Sequence, residues 1–565
     1  MRFLHGRVVK NGNHNQSESG YKMGIRVFRK GSVDPSSPRR EASLLTWPGN
    51  LTVFGPFFFV HIARTLQKRN RPPNARLSER LCLGATGLSG YWVARNSAAT
   101  LLVGLLASVP PLIVAAMTGV FETPDSGGYL TYAEMLLSGP LPEGEALLGS
   151  SYSPIPLYRT PGYPAVLAAL QHVTQTHWMS LLLGVQVLAQ AFLAAYAHRV
   201  GLALGLNPIL AFIVALMPAA GSVAVFQSAV MTDALFGALF GGAMLLLLHA
   251  ALIPGGISKL VMAGLMLGVG VAIREATLYL LLGLVPAALI ATTKGRRLVG
   301  FAAIMAPPVL ASGLIMADHY RRSGHAVLST SKQVVMVQAL MPLVARGVPV
   351  FQGETLFLTT AREMIVGSDY HSIHRLNARL FEAGMTAPEI ASAASANYAR
   401  AWRDHPLEML RATTTRLPVK MLWITFMPVD TAADVHRQSG EPRPWFGRPE
   451  ALWRRAMEGS IFALPILVAL WLGRAIGLAV TIGAIASPFF LARYDNRRAA
   501  VICAWLATGA FVAVYLPVHL EQRYLIPIVP MLCLLGGLTG QAAYDAWRSR
   551  RASCRPIGRD KLSLD

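Results

Sequence analysis

The sequence predicts an all-α, polytopic membrane protein of about ten transmembrane helices, with an external, mostly helical domain between the late helices. Of the 565 residues, 53% are hydrophobic and only 14% are charged, whereas about 25% of the residues in a soluble domain are charged. Apolar stretches of roughly 18 or more residues, the length that crosses the hydrocarbon layer as a helix, recur along the chain. Lys and Arg gather in the termini and in short loops between these stretches, as is typical of cytoplasmic segments.

Residues 1–97 are predicted to form a basic cytoplasmic extension that is largely flexible. Residues 1–96 hold 16 Lys and Arg against four Asp and Glu, and Pro, Asn and Ser are scattered through them. A cleavable signal peptide would continue from its basic start directly into an apolar stretch, which is not the case here. The apolar patch 53–62 is too short to span a membrane, and an interfacial segment or a partner contact is the alternative there.

The net charge of +22 would point to nucleic acid if the protein were soluble. No zinc knuckle, glycine-rich phosphate loop or other nucleic-acid motif accompanies the charge, so nucleic acid is excluded as a partner. Membrane lipids with anionic headgroups are the predicted partners of the basic segments. The four cysteines (Cys82, Cys503, Cys533 and Cys554) have no C-x-x-C spacing and indicate neither a disulfide framework nor a metal site.

Seven spans are predicted before a long polar interval and three after it. Arg474 interrupts the stretch 460–492, which could hold one tilted helix or two short ones. Charge parity favours one crossing, because an even total returns the basic tail to the cytoplasm together with the N-terminus. The predicted spans are 98–120, 178–198, 208–226, 233–252, 258–274, 276–292, 298–317, one within 460–492, 499–519 and 524–543.

Five regions follow from this layout. The basic extension 1–97 precedes the transmembrane region 98–317, whose first external loop, 122–177, is the predicted catalytic loop. The interval 318–457 is predicted to be an external (periplasmic) domain, in which the stretch Arg411–Met427 is either a helix on the membrane surface or an ordinary core helix. The C-terminal transmembrane helices occupy 458–545, and 546–565 forms a basic cytoplasmic tail.

Ionisable residues stand beside the ends of several predicted spans, and the topology puts them all on the external side. Alone, each has an ordinary interpretation: a solvated loop acid, a helix cap, a local pair with Glu275 or an interface anchor. Together they predict a functional site, because charged groups at membrane depth are costly unless they are paired or face a wet cavity. These residues are Asp125, Asp233, Arg274, Glu521 and Arg523.

Such a set suits a transfer reaction at the membrane surface. Carboxylates can orient or deprotonate an acceptor hydroxyl or amine, and can bind a divalent ion. Arginines can hold the phosphate of a lipid-linked donor and neutralise the charge that grows as it departs.

Four local sequences resemble the GT-C class of glycosyltransferases, which includes the protein O-mannosyltransferases and the bacterial transferase that attaches aminoarabinose to lipid A. They occur in the family's order and cover nearly the whole chain after residue 97. The segments are PDSGGYLTYAEMLLSG (124–139) with YRTPGYPAVLAAL (158–170), MTDALFGALF (231–240), the weaker AIREATLYLLL (272–282), and EQRYLIPIVP (521–530).

The resemblance implies a sugar donor joined to a polyprenyl phosphate. Asp125 matches the family's acid at the reacting centre, Asp233 its second acid, and Arg159 and Arg523 its basic positions for the donor phosphate. Ser126 follows Asp125 where many relatives have a second acid, which weakens the case for a metal; a divalent ion on Asp125 and Asp233 is left open. Arg274 is a third predicted phosphate ligand, and the predicted substrate-binding residues are Tyr129, Tyr163, Glu521 and Tyr524.

The predicted function is therefore a membrane glycosyltransferase of the inner (plasma) membrane that acts on the external face by direct, inverting displacement. The acceptor is a protein, a lipid or a polysaccharide. The alternatives are a transporter or flippase of lipid-linked sugars, and a non-catalytic scaffold. The transferase requires that Asp125, Arg159, Asp233 and Arg523 converge at one end of the helical assembly.

Overall fold

The computed structural model describes residues 86–553 except 124, 140–146, 149–152, 254–255, 416, 418–448, 462, 494–496 and 519–520. The predicted extension up to residue 85, the patch at 53–62, most of the predicted surface helix 411–427, and the tail from residue 554 lie outside the described residues. The first helix, α1, covers Thr86–Thr118, so the end of the predicted basic extension is helical.

The described part of the chain is almost entirely helical, as the sequence predicts. Its strands are β1 (Leu147–Leu148) and β2 (Ser153–Pro154), which pair antiparallel in the first long loop. Up to residue 323 the further helices are α2 (Ser126–Ser138), α3 (Ile155–Tyr158), α4 (Gly162–Val173), α5 (Trp178–Ala203), α6 (Pro208–Ala220), α7 (Val223–Phe226), α8 (Thr232–Leu252), α9 (Ile257–Ile273), α10 (Ala276–Ala291) and α11 (Arg297–Ser323).

The polar interval and the C-terminal part are also helical where they are described. Short 3₁₀ helices cover Lys294–Arg296, Ser487–Arg493 and Gln522–Ile528. The α-helices are α12 (Lys332–Val344), α13 (Leu356–Met364), α14 (His371–Glu382), α15 (Ala387–Asp404), α16 (Pro406–Thr414), α17 (Pro449–Met457), α18 (Ala463–Ala486), α19 (Arg498–Tyr515) and α20 (Val529–Ser553).

Each of the ten predicted spans contains an apolar helix, and the chain is an all-α polytopic membrane protein. Seven described helical segments are long and apolar enough to cross a membrane. The other three predicted spans are α6, α9 and α10, with 13, 17 and 16 residues. A helix suits this setting because it pairs its own backbone polar groups where water is absent.

Two predicted spans differ from the structure in detail. The stretch 208–226 is interrupted at Gly221 and Ser222 and forms α6 and α7 instead of one helix. The stretch 460–492 contains one long helix, α18, which runs through Arg474 and passes into a 3₁₀ turn. The guanidinium of Arg474 lies 5.0 Å from the ring centre of Trp471. The single crossing favoured by charge parity therefore corresponds to one helix.

The membrane helices share one large hydrophobic core, beside which lies a small cluster around Phe226, and the polar interval has a second large core. The second core is built from α12 to α16 and includes Val337, Leu376 and Ile390. Three hydrogen bonds tie this region to the first long loop and to the ends of the membrane helices: Thr330 N to Leu157 O (2.9 Å), Ser331 Oγ to Glu275 Oε1 (2.6 Å) and Tyr398 Oη to Pro517 O (2.9 Å). The helical bundle thus packs at the end of the membrane helices that carries Arg159, Arg274 and Glu521.

Candidate active site

The segments that carry the two predicted acids are joined by backbone pairing. Phe121, after α1, forms a parallel bridge with Ala229, before α8. Phe121 N donates to Ser228 O (3.0 Å) and Val230 N donates to Phe121 O (3.0 Å). The buried Ser126 hydroxyl reinforces the bridge by donating to Val230 O at 2.8 Å. Ser126 therefore holds the Asp125 segment against the start of α8.

Asp125 lies between two arginines from distant parts of the chain. Its Oδ1 is 3.0 Å from Arg159 Nη2, and its Oδ2 is 2.7 Å from Arg523 Nη2. The side chain makes no capping hydrogen bond to α2. The carboxylate is 36% exposed, against 18% and 14% for the two arginine side chains. Asp125 is therefore the open acid of a charged cluster and not a solvated loop residue.

Asp233 forms a second, deeper ion pair. Its carboxylate is fully buried and lies 3.1 Å from Arg274 Nη1. Arg274 also packs over two aromatic rings, with its guanidinium 5.2 Å from the centre of Phe236 and 4.7 Å from that of Tyr524. The ordinary interpretation of Arg274, a local pair with Glu275, is wrong: Arg274 pairs with Asp233, and Glu275 accepts a hydrogen bond from Ser331. A buried pair of this kind is costly to break from one side.

The late motif joins the two pairs. Arg523 Nε donates to Glu521, and the Arg523 guanidinium lies 5.3 Å from the Tyr524 ring centre. Tyr524 therefore lies against both Arg523 and Arg274. Three acids and three arginines make up this cluster: Asp125, Asp233 and Glu521 with Arg159, Arg274 and Arg523.

The predicted tyrosines of the first loop support Arg159. Tyr129 accepts a hydrogen bond from Arg159 Nη1 at 3.1 Å, and the guanidinium lies 4.4 Å from the Tyr129 ring centre. Tyr163 packs edge-on against Tyr129, with ring centres 5.2 Å apart, and is completely buried. Its buried hydroxyl has no hydrogen-bond partner among the described atoms. Tyr163 thus backs Tyr129, and a direct contact of Tyr163 with substrate stays a prediction.

Sequence reasoning missed three contributors. Tyr158 stacks on Arg159 at 5.2 Å and packs against the second hydrophobic core. Ser331 holds Glu275, and Tyr370, just before α14, lies within electrostatic reach of Asp125 and Glu521. Tyr158 was visible as the residue before Arg159. Ser331 and Tyr370 stand in the polar interval, where no local motif marks them.

The electrostatics keep Asp125 charged. Burial alone would raise the pKa of Asp125, but the positive charges of Arg523 and Arg159 outweigh it, and the pKa lies below its ordinary value of 3.8. Burial and the negative charges of Asp125 and Glu521 together raise the pKa of Tyr370 to about 12. Asp125 is therefore a carboxylate and Tyr370 a neutral phenol at physiological pH.

The donor set does not fit the divalent ion left open by the sequence. Asp125 and Asp233 belong to different ion pairs, and arginines already occupy both oxygens of Asp125. Within the described residues, no group of three His, Cys, Asp or Glu side chains could hold a metal. A cation at Asp125 would lie beside two guanidinium groups, which disfavours it.

All nine predicted site residues fall in this one region. The four whose convergence the transferase requires lie at the same end of the helices: Asp125 pairs directly with Arg159 and Arg523, and Asp233 is linked to Arg523 through Arg274 and Tyr524. Their individual roles stay predictions.

Neither a protein-family model nor a curated protein sequence matches the chain. Solved structures of the oligosaccharyltransferase from Archaeoglobus fulgidus align with it. The complex of oligosaccharyltransferase AglB with an inhibitory peptide and a dolichol-phosphate is 14% identical, with a TM-score of 0.38, covering 84% of this chain and 53% of that one. The apo form is 13% identical, with a TM-score of 0.39, covering 82% and 53%.

This chain therefore spans about half the length of the solved protein. The likeness to these structures is weak. At these identities and TM-scores it assigns neither a family nor an activity.

Proposed function

We propose that the protein is a membrane glycosyltransferase that moves a sugar from a polyprenyl-phosphate donor to an acceptor on the external face of the membrane. The observation that carries the proposal is the position of Asp125, an ionised and partly exposed carboxylate held between Arg159 and Arg523. One cluster thus offers an acceptor-orienting acid and two phosphate-binding cations within a single hydrogen-bond length of each other.

Arg159 and Arg523 bind the donor phosphate. Their planar guanidinium groups match phosphate oxygens, and each is held from behind by an aromatic ring, Tyr129 and Tyr524 respectively. When the bond from the anomeric carbon to the phosphate oxygen breaks, the electron pair stays on the lipid phosphate. Two fixed positive charges then stabilise the charge that develops there.

Asp125 orients the acceptor. A carboxylate held by two arginines is a weak base, since its pKa is lowered. The incoming phosphate competes for the same guanidinium groups, so donor binding releases Asp125 and raises its basicity. The acceptor oxygen or nitrogen then attacks the anomeric carbon from the opposite face, with inversion, and its proton passes to Asp125. Phosphate is already a good leaving group, so the reaction needs no second carboxyl to act as an acid, unlike glycoside hydrolysis.

Asp233 acts by positioning and not by proton transfer. Its carboxylate is completely buried and paired with Arg274. An acceptor therefore reaches the carboxylate of Asp125 more readily than that of Asp233. The Asp233–Arg274 pair fixes Tyr524 and, through it, the late motif that carries Arg523. Arg274 then contributes positive potential behind the phosphate site.

The test uses the purified full-length protein in liposomes with a polyprenyl-phosphate sugar and without an ion gradient or ATP. Wild-type protein should form glycosylated acceptor, and Asp125→Asn should lower the rate at least about 10²-fold. Arg159→Ala and Arg523→Ala should chiefly raise the donor concentration needed for half-maximal rate. The matched control is Glu122→Gln, an exposed acid three residues before Asp125, which should keep wild-type activity.

Normal turnover by a correctly inserted Asp125→Asn protein would remove Asp125 from the chemistry. Movement of the intact lipid-linked sugar across the bilayer, without any transfer, would favour the transporter or flippase instead.

A further inference from the structure

A long apolar groove runs along α5, from beside the charged cluster towards the opposite end of the helix. It has a volume of about 590 Å³. Five of the seven α5 residues that line it recur every three or four positions and so follow one face of the helix: Val185, Ala189, Phe192, Tyr196 and Arg199. At 1.5 Å per residue this face is about 21 Å long, roughly two-thirds of the hydrocarbon thickness of a membrane. Helices α8 and α9 form the opposite wall.

The two ends of the groove differ in chemistry. At the end nearer the active site the lining is apolar, with Val166, Leu235 and Ile273. At the other end lies the exposed Arg199, the one charged side chain among the described residues that line the groove. A molecule that fills the groove therefore needs a long hydrocarbon part and a negative group at the Arg199 end.

A second cation belongs to the same end. The charges of Arg199 and of Lys259, near the start of α9, both act on His249 of α8, whose Nδ1 lies 2.6 Å from Tyr196 Oη. Neither cation forms an ion pair with an acidic residue in the part of the chain that the structure describes. Arg199 thus lies at the mouth of an apolar groove, and Lys259 is close enough for its charge to reach the same histidine.

We propose that this groove binds one anionic phospholipid, with its headgroup phosphate between Arg199 and Lys259 and one acyl chain along α5. Basic pockets between transmembrane helices are suited to anionic headgroups. The second chain faces the bilayer over Phe192, which is 74% exposed. The lipid-linked donor proposed above would place its phosphate at Arg159, at the opposite end of these helices. The phospholipid phosphate and the donor phosphate therefore lie at opposite ends of these helices.

The test measures lipid binding to the purified full-length protein by native mass spectrometry. The probes are phosphatidylglycerol and phosphatidylcholine with identical acyl chains. Wild-type protein should retain one phosphatidylglycerol more tightly than phosphatidylcholine. Arg199→Gln and Lys259→Gln should each weaken phosphatidylglycerol binding about five-fold, whereas Arg296→Gln, an exposed cation outside the groove, should not.

A second pair of variants tests the apolar part. Ala189→Phe fills the groove and should weaken binding of both lipids, whereas Leu188→Phe alters a 59% exposed neighbour outside the lining and should change neither. Thermal unfolding midpoints identify any variant that fails to fold. Because Arg199 is exposed, Arg199→Gln should keep the wild-type midpoint. Equal retention of the two lipids by wild type, or equal binding by Arg199→Gln and Arg296→Gln, would overturn the proposal. Stoichiometric displacement of the phospholipid by polyprenyl phosphate would overturn it as well.

Discussion

At the scale of single residues, the carboxylate of Asp125 has two competing sets of partners. In the folded protein it pairs with Arg159 and Arg523, and in the proposed reaction it must turn to an acceptor. The same arginines that lower its pKa are those that the donor phosphate would occupy. The resting ion pairs therefore stabilise the site, and their exchange for phosphate prepares it for transfer.

The lowered pKa of Asp125 gives a pH dependence of stability with a definite sign. As the pH decreases below 3.8, this carboxyl is protonated in the unfolded chain before it is protonated in the folded protein. The unfolded state then binds more protons, so the free energy of unfolding decreases as the pH decreases. The contribution of Asp125 is complete above pH 3.8 and is lost as the pH falls through its folded-state pKa. We expect the difference in thermal midpoint between wild type and Asp125→Asn to be constant above pH 3.8 and to shrink below it. A difference that stays constant to pH 2 would contradict the ion pairing.

The buried pair of Asp233 and Arg274 gives a second prediction at this scale. Asp233→Asn leaves the Arg274 charge buried without a counter-ion, which should cost about 3–5 kcal/mol. The double variant Asp233→Asn, Arg274→Gln should lose less than the sum of the two single losses, because it removes both charges. Thermal unfolding in detergent measures all three variants. Asp318→Asn is the control: its partners Arg321 and Arg322 are 80% and 49% exposed, so its loss should stay below about 1 kcal/mol. Additive losses would show that the pair is not coupled.

The sequence revealed the positions of these residues but not their pairings. Asp125, Asp233, Arg274 and Arg523 stand out because charged side chains beside apolar spans are costly. Asp125 pairs with both Arg159 and Arg523, and Arg274 pairs with Asp233 and not with its neighbour Glu275. These pairings depend on helix packing that no local pattern encodes. The exposure of Asp125 and the burial of Asp233 likewise follow from tertiary structure.

At the scale of elements, close helix packing at glycines sets the geometry of the site. A Cβ on Gly162, the first residue of α4, would lie 2.6 Å from the backbone carbonyl of Ala272 in α9. Gly162 follows Arg159 closely in sequence, and Ala272 stands two residues before Arg274. The contact therefore holds the segments of two predicted phosphate ligands together.

Gly162→Ala should consequently impair activity more than stability alone explains. The added methyl group meets backbone atoms, so α4 and α9 must separate, at a cost of about 1–3 kcal/mol. A displacement of about 1 Å at the site can lower the rate by about 10²-fold. The measurement is the transfer rate per folded molecule. The transfer assay gives the rate, and thermal unfolding gives the folded fraction at the assay temperature. Gly184→Ala in α5 is the matched control, because a Cβ there meets nothing within 4 Å. Equal rates for the two variants would remove the packing argument.

The predicted helices agree with the structure where the length of an apolar stretch sets the ends of a helix. They disagree where a tertiary contact interrupts the helix. Hydrophobic length predicted the positions of α1, α5, α8 and α11, and the predicted ends differ from the observed helix ends by at most a few turns. The predicted span 208–226 is divided at Gly221 and Ser222, and the segment that follows α7 is held inside the protein by a side chain from α5. Gln186 of α5 donates its Nε2 to Gln227 O (2.8 Å) and Ala229 O (3.3 Å), a long-range contact that the uniformly apolar local sequence does not reveal.

At the scale of the whole molecule, the charged cluster lies where the second helical bundle meets the membrane helices. The contacts of Thr330 with Leu157 and of Tyr398 with Pro517 place the bundle beside the cluster, where it can shape access for an acceptor. The distribution of Lys and Arg predicts that this end faces the outside. The side of the membrane decides which donors and acceptors the site meets, so orientation is the property on which the proposed substrates depend.

Orientation is testable with single cysteines in a protein whose four native cysteines are replaced. Ala383→Cys lies on the exposed end of α14, and Arg296→Cys lies in the exposed turn before α11. A membrane-impermeant maleimide should label Ala383→Cys in right-side-out vesicles, and should label Arg296→Cys only after permeabilisation, because basic loops stay in the cytoplasm. The reverse pattern would put the cluster on the cytoplasmic side. Transfer itself could survive that result, since the ion pairs around Asp125 do not depend on orientation, but the acceptor would then have to be a cytoplasmic molecule and not a component of the cell envelope.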